Sequence, residues 1–218
     1  MTEGAFHLQP TLTGELLELR PLRGADFDAL FAAASDPLIW EQHPENDRYT
    51  REVFQKYFDG AIESGGAFAI IERKSGRIIG SSRYCHLYVP GKCFSSSPHL
   101  NPLPQGEEDA TAPGEGSPSR RSEVEIGWTF LERAFWGGRY NRELKTLMLD
   151  HAFGFVDRVV FVVGENNLRS QKSLQKIGAR FLKKSDTLEP DGSARLVFAI
   201  EKSDYVAAIS SGALPVAP

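Results

Sequence analysis

The sequence predicts an α+β fold: a mixed, mostly antiparallel sheet with helices on both of its faces. Two observations point to this class. Apolar residues alternate, or run continuously, over short segments that turn-forming residues separate, as expected of strands. Between these segments, apolar residues recur at the spacing of an amphipathic helix. The 218 residues are enough for a single domain with a sizeable core, which we place at residues 12–202.

The first half of the chain predicts one strand, two helices and two further strands. The first helix ends before Asp36-Pro37, because a residue that precedes proline is disfavoured in the helical conformation. Thr50 offers an N-cap for the second helix, and Gly65-Gly66 ends it. In order, the elements are the strand 16–20, the helices 25–35 and 51–64, and the strands 67–72 and 78–88.

Residues 90–122 differ in composition from the rest of the chain. Of these 33 residues, 16 are Pro, Gly or Ser, and six of the 13 prolines lie here. Such a stretch buries too little apolar surface to offset the entropy of ordering it. We therefore predict a disordered or loosely ordered insertion loop between two neighbouring antiparallel strands, with a substrate lid as the functional alternative.

The second half predicts a strand, a helix, a buried strand, another helix and a closing hairpin, followed by a mobile tail at 203–218. The elements are the strand 123–131, the helix 142–156, the strand 158–163, the helix 168–177, and the strands 181–187 and 194–201. Alternation along the first strand predicts two faces, one with Val124, Ile126, Trp128 and Phe130 and the other with Glu123, Glu125, Gly127 and Thr129. Gly127 inside this strand indicates a bulge or a close backbone approach.

Composition and charge argue against several classes of partner. The net charge of −4 gives no support for binding to nucleic acid or to an anionic membrane surface. No apolar run approaches the roughly 20 residues that span a bilayer. Cys85 and Cys93 do not form a disulfide framework, and no His/Cys/Asp cluster has metal-ligand spacing, so we expect reduced thiols and no metal. Because the N-terminus lacks a signal-peptide pattern, we expect a cytoplasmic protein. We expect it to be a monomer or a homodimer.

Three motifs of the second half occur together: Glu125-Ile126-Gly127-Trp128, Trp136-Gly137-Gly138, and Asn167 with Ser170 ahead of Lys176-Ile177-Gly178-Ala179. With the order of elements, they resemble the GNAT superfamily of N-acetyltransferases, and within it the branch of ribosomal-protein N-terminal acetyltransferases. The resemblance covers most of residues 12–202 apart from 90–122. It implies that two neighbouring parallel strands, here 124–130 and 159–163, splay apart and that the pantetheine arm of acetyl-CoA lies in the gap.

Acetyl-CoA is the co-substrate that the resemblance implies. A glycine-rich turn before a helix can bind pyrophosphate through backbone N–H groups, and the phosphate loop of the family matches Trp136, Gly137, Gly138, Arg139, Tyr140 and Asn141. The family's second contact with the cofactor matches Asn167 and Ser170. A backbone N–H near Trp128 or Thr129 would polarise the thioester carbonyl. Arg139 stands where the family has glycine, and Asn141 where it has a small residue. Arg139 points outward, pairs with a phosphate or hinders the approach of the phosphate to the backbone, and the sequence leaves these alternatives open.

Direct attack of an amine on the thioester needs a base for the amine proton and an acid for the thiolate, but no covalent enzyme intermediate. Glu125 is our first candidate for the base, because alternation puts it on the face of Gly127, and Glu123 is the second. In the alternative interpretation both are solvent-facing strand residues. Many relatives have a tyrosine where Leu174 stands, so Ser170 is the candidate acid. Helix capping, pantetheine binding or proton supply from water are the alternatives for this serine.

The acceptor amine is expected to contact the segment between the first two helices, where the resemblance puts an acceptor wall. Trp40 and His43 are the candidates there, with a packing turn held by Trp40 as the alternative. His86, near the end of a strand, and Glu123 complete the predicted acceptor site. His86 is included because its position lets it face the acceptor pocket.

These residues predict an acyltransferase, an acetyl-CoA-dependent N-acetyltransferase that acts on a primary amine of a small molecule or on a protein N-terminus. The rival hypothesis is an acyl-CoA-binding module with weak or lost activity, which Arg139, Asn141 and Leu174 favour. A third hypothesis is an interaction domain that recruits partners through residues 90–122. Cofactor binding without turnover favours the second hypothesis, and absence of binding favours the third.

Overall fold

The computed structural model describes residues 6–89, 121–189 and 191–212. Within them are eight strands, β1 to β8: Leu12–Thr13, Leu17–Pro21, Ala67–Glu72, Arg77–Tyr88, Glu123–Leu131, Arg158–Gly164, Arg180–Leu188 and Ala194–Glu201. The same residues contain five α-helices, α1 to α5: Phe27–Ala34, Arg51–Glu63, Arg139–Ala152, Leu168–Lys176 and Lys202–Ser210. None of these described helices is both long enough and apolar enough to cross a membrane.

The described strands form one sheet in the order β1-β2-β3-β4-β5-β6-β8-β7. Neighbouring strands are antiparallel, except that β5 and β6 are parallel. The α3 helix joins these two strands, since a parallel pair needs a crossover connection. The predicted α+β class, with a mixed and mostly antiparallel sheet, is confirmed.

Helices cover both faces of the sheet, as predicted. The α1 and α2 helices pack on one face, with Leu30, Phe54 and Phe58 in a core that also contains Phe130 of β5. The α3, α4 and α5 helices contribute to the core on the other face, whose fully buried side chains include Tyr84, Phe68, Ile126, Leu144 and Met148. We call these the α2 face and the α3 face.

A bulge in β5 makes the predicted alternation wrong beyond Gly127. Val124 and Ile126 face the α3 core as expected, but Phe130 packs in the core of the α2 face. The register against β4 shifts between the pairs Ser81↔Phe130 and Arg83↔Gly127, so two residues of β5 oppose one residue of β4. This extra residue reverses the order in which later side chains alternate.

The predicted insertion joins two strand ends that lie side by side. Tyr88, the last residue of β4, and Glu123, the first residue of β5, are paired across the sheet. Residues 90–120 lie outside the described part of the chain. The last two residues of the predicted insertion, Arg121 and Ser122, are described. Arg121 pairs with Glu201 at 3.0 Å, and the Ser122 hydroxyl donates to Asp157 at 2.8 Å.

The C-terminal segment differs from its prediction as a mobile tail at 203–218. The chain continues from β8 directly into α5, Lys202–Ser210. Tyr205 anchors this helix, because its ring is buried against Phe153 and its hydroxyl donates to Asp150 at 2.7 Å. Residues 213–218 lie outside the described part.

Candidate active site

The parallel strands β5 and β6 separate after three paired positions. Their pairs are Glu123↔Arg158, Val124↔Val159 and Glu125↔Val160. Beyond them lies a cavity of about 180 Å³. Residues from both strands, from α3 and α4 with its N-cap, from the segment after α1 and from the position that follows β7 line this cavity: Trp40, His43, Pro44, Arg48, Ile126, Gly127, Trp128, Thr129, Asn141, Lys145, Phe161, Val162, Val163, Gly164, Asn167, Ser170, Ser173, Leu174 and Glu189.

The bulge of β5 lies at the mouth of this gap and has an unusual backbone. Trp128 has a φ of 55°, in the left-handed region that non-glycine residues rarely adopt. Its carbonyl oxygen accepts a hydrogen bond of 2.8 Å from the hydroxyl of Tyr57 on α2. Because the peptide group is planar and trans, the N–H of Thr129 points away from Tyr57. Thr129 lines the cavity, so this N–H is a candidate donor to the carbonyl oxygen of a thioester there.

The predicted phosphate loop leads directly into α3. Gly137 has a φ of 79°, which requires glycine, and α3 begins at Arg139. The helix N-terminus leaves N–H groups free to bind a phosphate. Arg139 does not fold over this loop, because its side chain is 71% exposed and pairs with Glu15 at 3.3 Å. Of the alternatives for Arg139, the structure has the outward orientation.

The remaining residues of the loop connect it to its surroundings. The indole N–H of Trp136 donates to the Leu131 carbonyl at 2.8 Å, and the Arg169 guanidinium of α4 stacks on the Trp136 ring at 4.2 Å. Asn141 donates to the Ser173 hydroxyl at 2.9 Å and lines the cavity. In contrast, Tyr140 turns to β3, where its hydroxyl donates to Glu72 at 3.2 Å.

Asn167 and Ser170 begin α4 at the cavity, and the capping role belongs to Asn167. Its side-chain oxygen accepts from the Ser170 N–H at 3.1 Å. No described residue forms a hydrogen bond with the Ser170 hydroxyl, which leaves it available to a ligand. Leu174, one turn later, is buried and lines the cavity without a group that can donate a proton.

Glu125 and His86 form a hydrogen-bonded pair across β4 and β5. The Nδ1 atom of His86 lies 2.6 Å from Oε2 of Glu125. The carboxylate is 7% exposed and the imidazole 27%, so the histidine is the member that solvent or an amine reaches more easily. The hydrogen bond raises the pKa of His86, which burial alone would lower. His86 also has a strained φ of 51°.

Gly127 is the residue that leaves room for this carboxylate. A Cβ atom on Gly127 would lie 2.7 Å from Oε1 of Glu125, closer than atoms in van der Waals contact. The predicted location of Glu125 on the Gly127 face therefore corresponds to direct contact between the two residues. Gly127 itself lines the cavity, whereas Glu125 and His86 are not among its lining residues.

Glu123, the second candidate base, lies where β5 and β6 are still paired. It contacts a different cavity, beside Arg158 and Lys183. Burial raises the pKa of its carboxyl group, and Arg158 lies 3.7 Å away. The structure does not bring Glu123 together with the splayed part of the strands.

The sequence predicted no metal cluster, but potential ligand atoms of Cys85, His86 and Glu125 lie within 4.8 Å of one another. The 2.6 Å between the histidine and the carboxylate is shorter than the distance of about 3.3 Å that two ligands of tetrahedral zinc keep. Burial raises the pKa of the Cys85 thiol well above its usual value, which disfavours the thiolate that a metal needs. We therefore interpret the cluster as a proton-sharing pair next to a buried thiol.

The segment after α1 forms one wall of the cavity around a buried arginine. The Arg48 guanidinium stacks on the rings of Trp40 and Trp128, at 5.5 and 5.0 Å, and lies 2.9 Å from Nε2 of His43. Burial, followed by the charge of Arg48, lowers the pKa of His43 to about 3, so this histidine is neutral. Trp40 also has the packing role that the sequence left open, because its indole N–H donates to the Ala34 carbonyl at 2.8 Å.

Sequence reasoning missed Lys145, which lies on α3 and lines the cavity. The side chain is buried, and Nζ donates to the hydroxyl of Thr129 at 2.9 Å. A signal was present, because Leu149 and Ala152 follow at i+4 and i+7 and are buried, so Lys145 interrupts an apolar stripe. Nothing in the sequence indicated the contact of Tyr57 on α2 with Trp128.

A sheet that splays at its parallel pair, with a bulge and a glycine-rich helix start at the gap, fits the acetyl-CoA of an acyltransferase. The sequence profile described as the acetyltransferase (GNAT) domain matches residues 17–180. The chain belongs to this family, and acetyl-CoA is its co-substrate. A search of individual curated proteins gives no match.

Solved structures with the same fold include three acetyltransferases of low sequence identity. A GCN5-related N-acetyltransferase from Brucella melitensis is 18% identical with a TM-score of 0.69, covering 95% of this chain and 86% of that one. A GNAT-family acetyltransferase from Bacillus anthracis is 18% identical with a TM-score of 0.61, covering 89% and 99%. Mycobacterium smegmatis RimJ, in complex with CoA-disulfide, is 18% identical with a TM-score of 0.57, covering 94% of each chain.

Proposed function

We propose that this acyltransferase moves the acetyl group of acetyl-CoA to a primary amine by direct attack, with the His86–Glu125 pair taking the amine proton. The observation that carries this proposal is the 2.6 Å hydrogen bond between the two side chains, next to Gly127 at the splayed strands. A hydrogen-bonded histidine and carboxylate can accept a proton as the amine attacks the carbonyl carbon. His86, which the sequence predicts as an acceptor contact, thus joins Glu125 as part of the base.

Direct attack is favoured by the state of the nearest cysteine. Cys85 is buried, and its thiol lies 3.9 Å from the Glu125 carbonyl, to which it donates. Burial, followed by the charge of Glu125, raises the pKa of this thiol. Because the thiolate is the nucleophilic form, Cys85 is poorly suited to form an acetyl-enzyme.

The cofactor side of the proposal assigns roles to the loop and the bulge. Acetyl-CoA supplies an acetyl group that is activated as a thioester. The free N–H groups at Gly138 and at the start of α3 are suited to its phosphates, and Asn167 and Ser170 to its pantetheine arm. The Thr129 N–H is directed by the Tyr57–Trp128 hydrogen bond and would stabilise the oxygen that gains negative charge during attack.

We assign the acceptor side to His86, whose imidazole is 27% exposed, and to Trp128, which is 46% exposed. An exposed indole can pack against the carbon skeleton of an amine, and we expect the wall of Trp40, His43 and Arg48 to limit the size of that amine. Both a small-molecule amine and a protein N-terminus fit this description. The amine reaches the pair as the neutral form or loses its proton to it.

The rival function is an acyl-CoA-binding module with weak or lost turnover. It is favoured by Leu174, which supplies no acid at the expected position. It loses support from Arg139, whose outward side chain leaves the loop open. The two functions differ in whether CoA is released when an amine is added.

Thermal unfolding with and without acetyl-CoA, and with adenosine diphosphate as the control, is the first experiment. A ligand at about 100 times its dissociation constant adds roughly 2.7 kcal/mol. An amine panel of amino acids, polyamines and peptides with free N-termini is then screened by the release of the CoA thiol. Turnover that Glu125→Gln lowers at unchanged acetyl-CoA affinity supports the proposal. Binding without turnover for every amine supports the binding module.

A further inference from the structure

Lys145 of α3 contacts both splayed strands, β5 at its bulge and β6 at Phe161. Its Nζ atom lies 2.9 Å from the hydroxyl of Thr129 on β5 and 5.5 Å from the centre of the Phe161 ring on β6. The Thr129 hydroxyl in turn lies 2.7 Å from the Ser82 hydroxyl of β4. The amino group is therefore held by the residue whose N–H we assign to the thioester oxygen.

No described residue forms an ion pair with Lys145, although its side chain is buried. The groups that face it are the hydroxyl of Thr129 and the ring of Phe161, while Ser173 and Leu174 of α4 line the same cavity. Burial lowers the pKa of Lys145 to about 7. A buried ammonium group without a counter-ion is costly, and an anion that enters the cavity would remove that cost.

We infer that Lys145 is the acid that gives a proton to the sulfur atom of CoA when the thioester bond breaks. This inference rests on the proposed function. In the transfer, a bond forms between the amine nitrogen and the acetyl carbon, and the carbon–sulfur bond breaks. Sulfur keeps the electron pair of that bond and takes a proton from the ammonium of Lys145, which becomes a neutral amine. The proton lost by the acceptor goes to the His86–Glu125 pair, and exchange with solvent restores both groups.

Lys145 suits this role better than the residues of α4. Leu174 has no proton to give, and the hydroxyl of Ser170 is a very weak acid. A group whose pKa lies near the working pH combines the required protonation state with a useful driving force. The ammonium also stabilises the thiolate before the proton moves, since opposite charges attract strongly in a site that excludes water.

The competing explanation is that Lys145 only holds the hydroxyl of Thr129 in place. The two roles differ in whether the amino group contacts sulfur. Titration of the CoA thiol in the complex, followed by the ultraviolet absorbance of the thiolate, measures this contact without any acceptor amine. The proteins compared are the wild type, Lys145→Met, and Lys172→Met as a control for an exposed lysine of α4.

If Lys145 contacts the sulfur, bound CoA loses its thiol proton at a pH about one unit lower in the wild type and in Lys172→Met than in Lys145→Met. Desulfo-CoA, which lacks the sulfur, should bind the wild type and Lys145→Met equally well, whereas CoA binds the wild type about tenfold more tightly at pH 8. Equal thiol titration in the wild type and Lys145→Met overturns the inference. Equal losses of affinity for CoA and desulfo-CoA overturn it as well.

The stability of Lys145→Met is checked by thermal unfolding, and Lys145→Gln replaces it if it does not fold. Turnover separates this inference from the function on which it rests. With an active amine, Lys145→Met should lower kcat about a hundredfold, and the loss should shrink for an acetyl thioester whose thiol is more acidic. If the titration of the CoA thiol depends on Lys145 but the protein acetylates no amine, the proposed function is overturned. The contact between Lys145 and the sulfur atom is then still supported.

Discussion

The hydroxyl of Tyr57 donates a hydrogen bond to the carbonyl oxygen of Trp128, and the two oxygen atoms are 2.8 Å apart. This bond joins α2 to the bulge of β5, on the face of the sheet opposite α3. It holds the Trp128 carbonyl on the α2 face, and the N–H of the same peptide group consequently points away from it. A residue outside the cavity therefore sets the direction of a donor inside it.

The first prediction concerns this hydrogen bond. Tyr57→Phe should lower kcat about tenfold with little change in the acetyl-CoA dissociation constant, because the Thr129 N–H is no longer held in one direction. The ring contacts of Tyr57 with Arg48 and Arg83 remain in this variant. Tyr49→Phe, at a tyrosine that is 40% exposed, is the control. Steady-state kinetics test the prediction, and a change confined to KM would contradict it.

The second prediction concerns the pH dependence of the His86–Glu125 pair. Because the hydrogen bond to Glu125 raises the pKa of His86, the histidine stays protonated above its ordinary value of 6.5 and cannot act as a base there. The acid limb of the kcat/KM profile should therefore have a midpoint above 6.5, and loss of the Lys145 proton should lower kcat/KM again at higher pH. In Glu125→Gln the maximum should fall and this midpoint should move to lower pH. A rate profile with the same midpoint in both proteins would argue against the pair.

The third prediction concerns the space above Gly127. In Gly127→Ala the added methyl group would approach Oε1 of Glu125 to 2.7 Å and push the carboxylate away from its position beside His86. Activity should fall markedly, while Tm changes little because the displaced atoms end a side chain. Gly24→Ala is the matched control, since a Cβ on Gly24 meets no atom within 4 Å. Equal activity of the two variants would mean that the position of Glu125 is unimportant.

The fourth prediction concerns Arg139 in the phosphate loop. Its side chain is exposed and pairs with Glu15, and such surface pairs contribute roughly 0.2–1 kcal/mol. Arg139→Gly should therefore leave the acetyl-CoA dissociation constant within about threefold of the wild-type value, as should Glu15→Ala. Calorimetric titration measures both constants. Tighter binding by Arg139→Gly would show that the arginine obstructs the loop, and much weaker binding would show that it holds a phosphate.

The fifth prediction concerns stability and Lys145. In the unfolded chain this lysine keeps its proton up to about pH 10.5, whereas burial lowers its pKa to about 7 in the folded chain. Stability is thus lost as pH falls from 10.5 to 7, by an amount on the order of 4 kcal/mol. Lys145→Met should be more stable than the wild type, and by more at pH 7 than at pH 9.5. Denaturant unfolding at the two pH values tests this, with Lys172→Met expected to show no such difference.

The sheet, the helices and the glycine loop could be predicted because each depends on local patterns. The continuous apolar run Val159–Val163 and the stop at Gly65-Gly66 are examples. Tyr205 shows the limit, since its burial depends on contacts with Phe153 and Asp150 that lie far away in the sequence. The helix α5 around it was missed for that reason.

In the candidate site, too, local patterns could be read from the sequence and contacts between distant residues could not. Glu125 could be chosen by counting along a strand, because the bulge begins only after Gly127. Its partner His86 could not be matched to it, since the register of β4 against β5 shifts between Cys85 and Tyr88. The face of Phe130 was wrong because one extra residue reverses the alternation. A single sequence does not specify such shifts, which arise from packing between strands.

Because Tyr88 is paired with Glu123, the end of β4 lies beside the start of β5. The chain leaves β4 and enters β5 at these neighbouring points, each two residues from His86 or Glu125. The entropy of closing a chain between such points grows only slowly with its length. Segments of different length and sequence can thus be exchanged there while both cores and the splayed strands stay as they are.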